Sequence, residues 1–257
     1  MAEANVAYSP RQPHLSRAPI LEALIDIAVE PPEGMDPSEI ESIFPSEAFG
    51  YYLKGPIVES SVSFGVAPEG QVMAPSNATR LVGRRFHSKD EKYVLQLRPD
   101  RFVLSRLAPY ETWSTLVQET RRLWSAFVQG VGPHGVTRIA VRYINSMSLP
   151  LGPGLPFQKY LRTLGGVPEG IPQDLEGFFQ RFQLFDAARE ARVILSVAVD
   201  SHQTNVPSTI LLDIDVFCQQ NFDIADSRIW SKLEDLRNLK NSVFFRTLTD
   251  QALERFQ

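Results

Sequence analysis

The amino-acid sequence predicts an α+β fold of two similar halves, each an antiparallel sheet packed on one long helix. Three observations carry that expectation. Several short runs alternate apolar and polar residues and stop at proline or glycine. Two longer stretches repeat their apolar residues at helical spacing instead. The order strand, short helix, several strands, long helix then occurs twice along the 257 residues. An open sheet with one apolar face, covered by an amphipathic helix, is the economical packing for such elements.

Residues 1–17 contain Pro10 and Pro13 among polar residues and read as a flexible N-terminal arm. The first half then spans 18–132. In Leu24–Glu30, Ile25, Ile27 and Val29 alternate with Asp26, Ala28 and Glu30, the pattern of a half-buried strand, and Pro31-Pro32 stops it. Asp36-Pro37 opens a short helix, with the acid as N-cap and proline at the first helical position. Ser60–Val66 alternates again, and the Pro/Gly/Ser-rich stretch to Asn77 reads as a loop. Strands follow at Arg80–His87, Tyr93–Arg98 and Arg101–Leu107. The last two are joined by Pro99-Asp100 as a hairpin turn. A long helix from Glu111 to Gln129 carries Trp113, Leu116, Val117, Trp124 and Phe127 on one stripe and ends at Gly130 and Gly132.

The second half, 133–257, repeats the order. Arg138–Leu149 is a strand with Ile139, Val141 and Tyr143 on one face and Arg138 and Arg142 on the other. A short helix at Phe157–Leu164 precedes strands at Phe178–Phe185, Arg192–Asp200 and Thr209–Phe217. A helical tail runs from Asp226 to Phe256, with Asn241 and Thr249 as candidate breaks. Whether the strands that open each half pair, and so join the two sheets, is left open at this level. The duplicated order β-α-β(n)-α resembles the TATA-binding-protein and helix-grip classes in arrangement, which implies nothing about function.

The composition narrows the function classes. A single cysteine, Cys218, makes an intrachain disulfide impossible and reads as a small buried hydrophobe. The N-terminus has no basic, then apolar, segment of a secretory signal, and no run of about 18 apolar residues spans a membrane. A cytoplasmic protein without membrane association is the expectation. The net charge of −4 does not favour nucleic acid as the partner. The charge is uneven, however. Residues 1–70 hold three bases against eleven acids, whereas 71–110 hold eight bases against three acids.

That basic segment supplies the candidate binding residues. Arg84, Arg85, Lys92, Arg98, Arg101 and Arg106 fall on the strands and turns of 80–106. On an open sheet face they would suit phosphates or an acidic protein surface. A solvated, internally paired face is the alternative. The aromatic residues that would stack bases lie on the face expected to be buried, which weakens a nucleic-acid interface. Asp213 and Asp215 share one face of a strand and are the weak candidates for a metal or acid/base pair. His14, His87, His134 and His202 lack a second ligand at zinc spacing. Gly130-Val131-Gly132-Pro133 and Gly152-Pro153-Gly154 lack the lysine and hydroxyl of a phosphate loop, and Gly165-Gly166 follows a helix where an anion site would open one, so no cofactor is expected. No nucleophile motif is present either.

Ala18-Pro19-Ile20-Leu21-Glu22-Ala23, Arg138-Ile139-Ala140-Val141-Arg142-Tyr143-Ile144-Asn145 and Phe244-Phe245-Arg246-Thr247-Leu248-Thr249 together resemble a sporadically distributed bacterial family of uncharacterised proteins of similar length. The resemblance spans about residue 18 to 257. Tyr143 and Asn145 are typical of its central strand. No activity comes with the resemblance. Its patchy distribution implies an antitoxin-like or defence-associated accessory role. The residues and the resemblance together lead to the expectation of a non-enzymatic protein-interaction module whose partner is another protein encoded nearby. A small-ligand or nucleotide-binding protein using the cleft between halves is the first alternative. Nucleic-acid binding through the hairpin 80–106 is the second.

Overall fold

The computed structural model describes residues 15–63, 76–148, 157–162, 169–172, 177–200 and 209–257. Nine strands follow the chain: β1 (Ile20–Glu30), β2 (Tyr51–Ser63), β3 (Ser76–Ser88), β4 (Tyr93–Arg98), β5 (Arg101–Leu107), β6 (Gly135–Ser148), β7 (Gly177–Asp186), β8 (Ala191–Asp200) and β9 (Thr209–Cys218). Helix α1 (Ile40–Ile43) lies between β1 and β2, and α2 (Trp113–Val131) between β5 and β6. After β9 come α3 (Arg228–Thr247) and α4 (Asp250–Leu253).

The two-halves expectation is overturned at the level of the sheet. All nine strands form one antiparallel sheet in the order β2-β3-β4-β5-β1-β6-β9-β8-β7. The join is β1 against β6, paired from Ile20↔Asn145 to Glu30↔Gly135. The physical reason is the cost of bare edges. In two separate sheets, β1 and β6 would each leave one row of amides and carbonyls unpaired beside an apolar core. Pairing them with each other removes both rows at once. Strand accounts for 46% of the described residues and helix for 28%, so the sheet is the organising layer.

One hydrophobic core runs across the whole sheet. Ile25 and Ile27 of β1, Phe102 and Leu104 of β5, Val141 and Tyr143 of β6, and Ile214 and Val216 of β9 all point to the same side. On that side α3 packs over β6 and β9, and α2 reaches β5. Near residue 132, where the two halves are expected to divide, α2 ends. Gly132 caps α2 at φ +66°, donating its N–H to the Val128 carbonyl at 2.9 Å, and β6 starts three residues on. The helix start is set by Thr112, whose Oγ1 accepts from the Thr115 N–H at 3.2 Å.

Several elements differ from expectation in extent. β2 begins at Tyr51, before the expected Ser60, because this rim strand tolerates Gly55-Pro56 within its bulges. α2 continues through Gly130. The short helix expected at Asp36 starts later, at Ile40, and Asp36 Oδ1 instead accepts from the Ser38 N–H at 2.7 Å. Asn241 does not interrupt α3, whereas Thr249 caps α4. At Phe157–Lys159 the chain makes a single 3-10 turn, and Leu161 then bridges to Leu248. Residues 1–14 of the expected arm lie outside the described residues. Arg17 is held at the surface, its N–H donating to the Phe256 carbonyl at 3.0 Å. Among the described residues no helix is long and apolar enough to cross a membrane.

Candidate functional site

The basic residues singled out in the sequence do not share one face. Arg98 and Arg101 project from the side of the sheet opposite the helices. Arg98 lies 3.0 Å from both Glu59 and Asp100, and Arg101 lies 3.2 Å from Asp26. Arg84 is on the helix side, 3.1 Å from Glu41 of α1. Arg106 is buried among the helix-facing residues, donating to Glu111 at 2.7 Å and lying over the Tyr93 ring. Lys92 stands at the start of the β4–β5 hairpin, 3.9 Å from both Asp90 and Glu111. Arg85 is exposed on β3. Pairing with the acids of the same sheet absorbs much of the charge that the sequence segregates.

Asp213 and Asp215 do share the open face of β9, as alternation requires. Each is met by arginine. Asp213 takes both prongs of Arg142, at 2.9 and 2.6 Å, and Asp215 lies 3.4 Å from Arg138. Arg138 also donates to Asp26 at 2.7 Å and covers the Phe217 ring. Burial nevertheless pushes the Asp215 carboxyl above its ordinary range, against the pull of Arg138 and Arg142. Among the described residues no group of three or more His, Cys, Asp or Glu could hold a metal ion. His87 meets Glu91 at 2.7 Å, and His14 and His202 lie outside the described residues.

The chemically unusual place is on the other side, where the core meets one end of the sheet. A cavity of about 370 Å³ opens between β6, the start of α2 and the C-terminal part of α3. Tyr143 and Asn145 form its floor. Tyr110 comes from the segment that leads into α2, and Trp113 is that helix's first residue. Arg237 and Lys240 come from α3. Each is placed by an identifiable constraint. Asn145 is buried, and its amide donates to the Leu212 carbonyl at 3.0 Å across the β6–β9 ladder. Tyr110 is brought over by the Ala108 N–H donating to Leu21 at 2.9 Å, and its hydroxyl meets that of Tyr143 at 3.0 Å. Trp113 donates its indole N–H to Glu234, which also holds Arg237 at 2.8 Å.

Lys240 is the exception in this set. Leu233, Leu236, Lys240 and Phe244 recur at helical spacing on the buried stripe of α3, so the lysine occupies a core position. It is 7% exposed. Its Nζ lies 3.5 Å from the centroid of the Tyr143 ring. Among the described residues it has no carboxylate and no hydrogen-bond acceptor. Burial, with the nearby Arg237 guanidinium as the second cause, pushes its amine down to about 7. Burial pushes the Tyr143 and Tyr110 hydroxyls up, so both keep their protons through the neutral range. A second, shallower recess of about 600 Å³ beside α1 carries Glu41 and Glu47, and Glu41 is already paired with Arg84.

Tyr143 and Asn145 were visible in the sequence as strand residues. Lys240 is not among the residues that the sequence singles out, although a lysine falling in the register of Leu233 and Leu236 is itself a signal. The chain matches no protein-family model. No curated protein is significantly similar to it.

Proposed function

We propose that this protein binds a small organic acid in the cavity between β6, α2 and α3. The observation that carries the reading is Lys240, a buried amine with no counter-charge among the described residues, which faces a cavity of ligand size. Burying an unpaired ammonium is expensive, and natural cores avoid it unless something supplies the missing charge. Perturbed ionisable groups in concave sites mark binding or catalytic positions more often than structural ones. An anion would remove the penalty. Arg237 reinforces the positive potential, while the tyrosine hydroxyls and Asn145 give a polar floor under apolar walls from Phe244 and Phe245.

The reading as a protein-interaction module draws its support from elsewhere, from Phe179 and Phe185, exposed on the open face of the rim strand β7. The ligand reading is preferred because one place combines a cavity, converging polar groups and an unsatisfied charge. Calorimetric titration with small mono- and dicarboxylates at pH 6.5 tests it. Binding is expected with proton uptake that is partial at pH 6.5 and approaches one proton as pH rises past the amine's titration, above which the affinity should fall about tenfold per pH unit. Lys240→Met should weaken it at least tenfold. Affinities unchanged by that substitution and flat from pH 6.5 to 8.5 would remove the reading.

A further inference from the structure

The geometry points to Lys240 as a nucleophile that forms an imine with a 2-oxo acid, the carboxylate of the same molecule resting on Arg237. This inference rests on the ligand reading above and names the class of ligand. Arg237 and Lys240 are three residues apart on α3, one turn along the same face, and such positions carry Cβ atoms about 5–6 Å apart. A 2-oxo acid carries its carbonyl carbon next to its carboxylate carbon. One small molecule can therefore engage the guanidinium and the amine together. The cavity of about 370 Å³ suits a short-chain acid.

An imine-forming amine must be unprotonated, reachable and free of a carboxylate that would hold its proton. Lys240 meets these requirements by position. It lines the cavity, and no acid among the described residues pairs with it. Of its two charged neighbours in the cavity, Glu111 is engaged by Arg106, while Arg237 meets Glu234 through Nη1 alone among the described residues, which leaves N–H donors for the carboxylate. Titratable groups facing it from the other elements are Tyr143 of β6 and Tyr110 before α2, whose hydroxyls form a pair at 3.0 Å.

The step balances without a redox partner. The amine lone pair attacks the carbonyl carbon, and the carbonyl oxygen takes up a proton from the Tyr143–Tyr110 pair. The carbinolamine then loses its hydroxyl as water while the C=N bond forms. The water carries away the original oxygen together with two protons. Both come from the amine nitrogen, one of them by way of the tyrosine pair, which thereby recovers the proton it lent.

The experiment uses the full chain with pyruvate as the probe and lactate as its non-carbonyl counterpart, each with and without cyanoborohydride. Expected is one reduced adduct, mapped by mass spectrometry to Lys240. It should be absent with lactate and absent in Lys240→Arg and Lys240→Met, both checked for native circular dichroism. Surface lysines such as Lys54 and Lys92, each on a carboxylate, should stay at background. Lactate and pyruvate both binding, with no adduct on Lys240, would overturn the imine and leave the ligand reading standing. Adducts spread over surface lysines with Lys240 unlabelled would overturn it too. Binding of neither acid would remove both readings.

Discussion

Replacing Lys240 by methionine should make the protein more stable at neutral pH, by about 2–4 kcal/mol, because it removes the desolvation penalty of a buried ammonium. The sign follows from proton linkage. The amine titrates near 7 in the folded chain and near its ordinary 10.5 when unfolded. Below pH 7 both states hold the proton, and the folded state carries the full penalty. Between these values the unfolded chain binds a proton that the folded chain does not. The stability of the native protein therefore rises with pH across this window, by about 1.4 kcal/mol per unit at most. In Lys240→Met that rise is absent.

Other groups titrate in the same range, so the informative quantity is the difference between the two proteins. The neighbours of the amine contribute little to that difference. The Tyr143 and Tyr110 hydroxyls that face it are held above their ordinary range. In a chain of this size the gain at pH 7 corresponds to a rise in Tm of roughly 5 °C or more. Thermal unfolding from pH 6.5 to 10 should show the two curves converging as pH rises. A constant gap would mean that the lysine is not the titrating group, and a destabilised variant would mean that it serves packing alone. A core position that becomes more stable when its residue is removed is the mark of a residue kept for use.

Gly83→Ala should have the largest destabilising effect, about 3 kcal/mol or more, through forced separation of strands. Gly83 lies on β3 beside the end of β4. A Cβ there would stand 2.2 Å from the Leu97 carbonyl oxygen and 2.8 Å from Arg98 Cγ. The first atom is backbone and cannot rotate away. Gly83 also sits at the register shift where Ile57↔Gly83 gives way to Val58↔Leu81, so the strand on its other side is already irregular. The expected outcome is a large fall in the urea midpoint, with β2 and β3 losing amide protection first. A midpoint within error of the native protein would show that β3 and β4 adjust freely there.

The sequence made local structure legible where alternation was uninterrupted. β4 and β5 were read to the residue, because Tyr93, Leu95 and Leu97 alternate cleanly and Pro99-Asp100 marks the turn between the strands. The first part of β2 was missed, because Gly55-Pro56 reads as a break, and only a rim strand with bulges can absorb it. The single sheet was not legible for a different reason. Nothing near Ala23 or Ile25 states that the partner is Tyr143 or Val141, more than a hundred residues away. The candidate site divided in the same way. Tyr143 stood out locally, while Lys240 gained its meaning only when α3 turned it inward over that ring.

The β1–β6 seam also has a consequence for how the chain comes into being. β2 to β5 is a run of sequential neighbours, and so is β7 to β9; such ribbons assemble early. β1 leaves the ribosome before either ribbon yet completes its second pairing only once Asn145 has been made. The nascent protein thus carries its vulnerable edge at its future centre, not at its rims. Pulse-labelled hydrogen exchange should find the amides of β1 protected after those of β4 and β5 bonded to each other. Protection of β1 in the first kinetic phase would contradict this order.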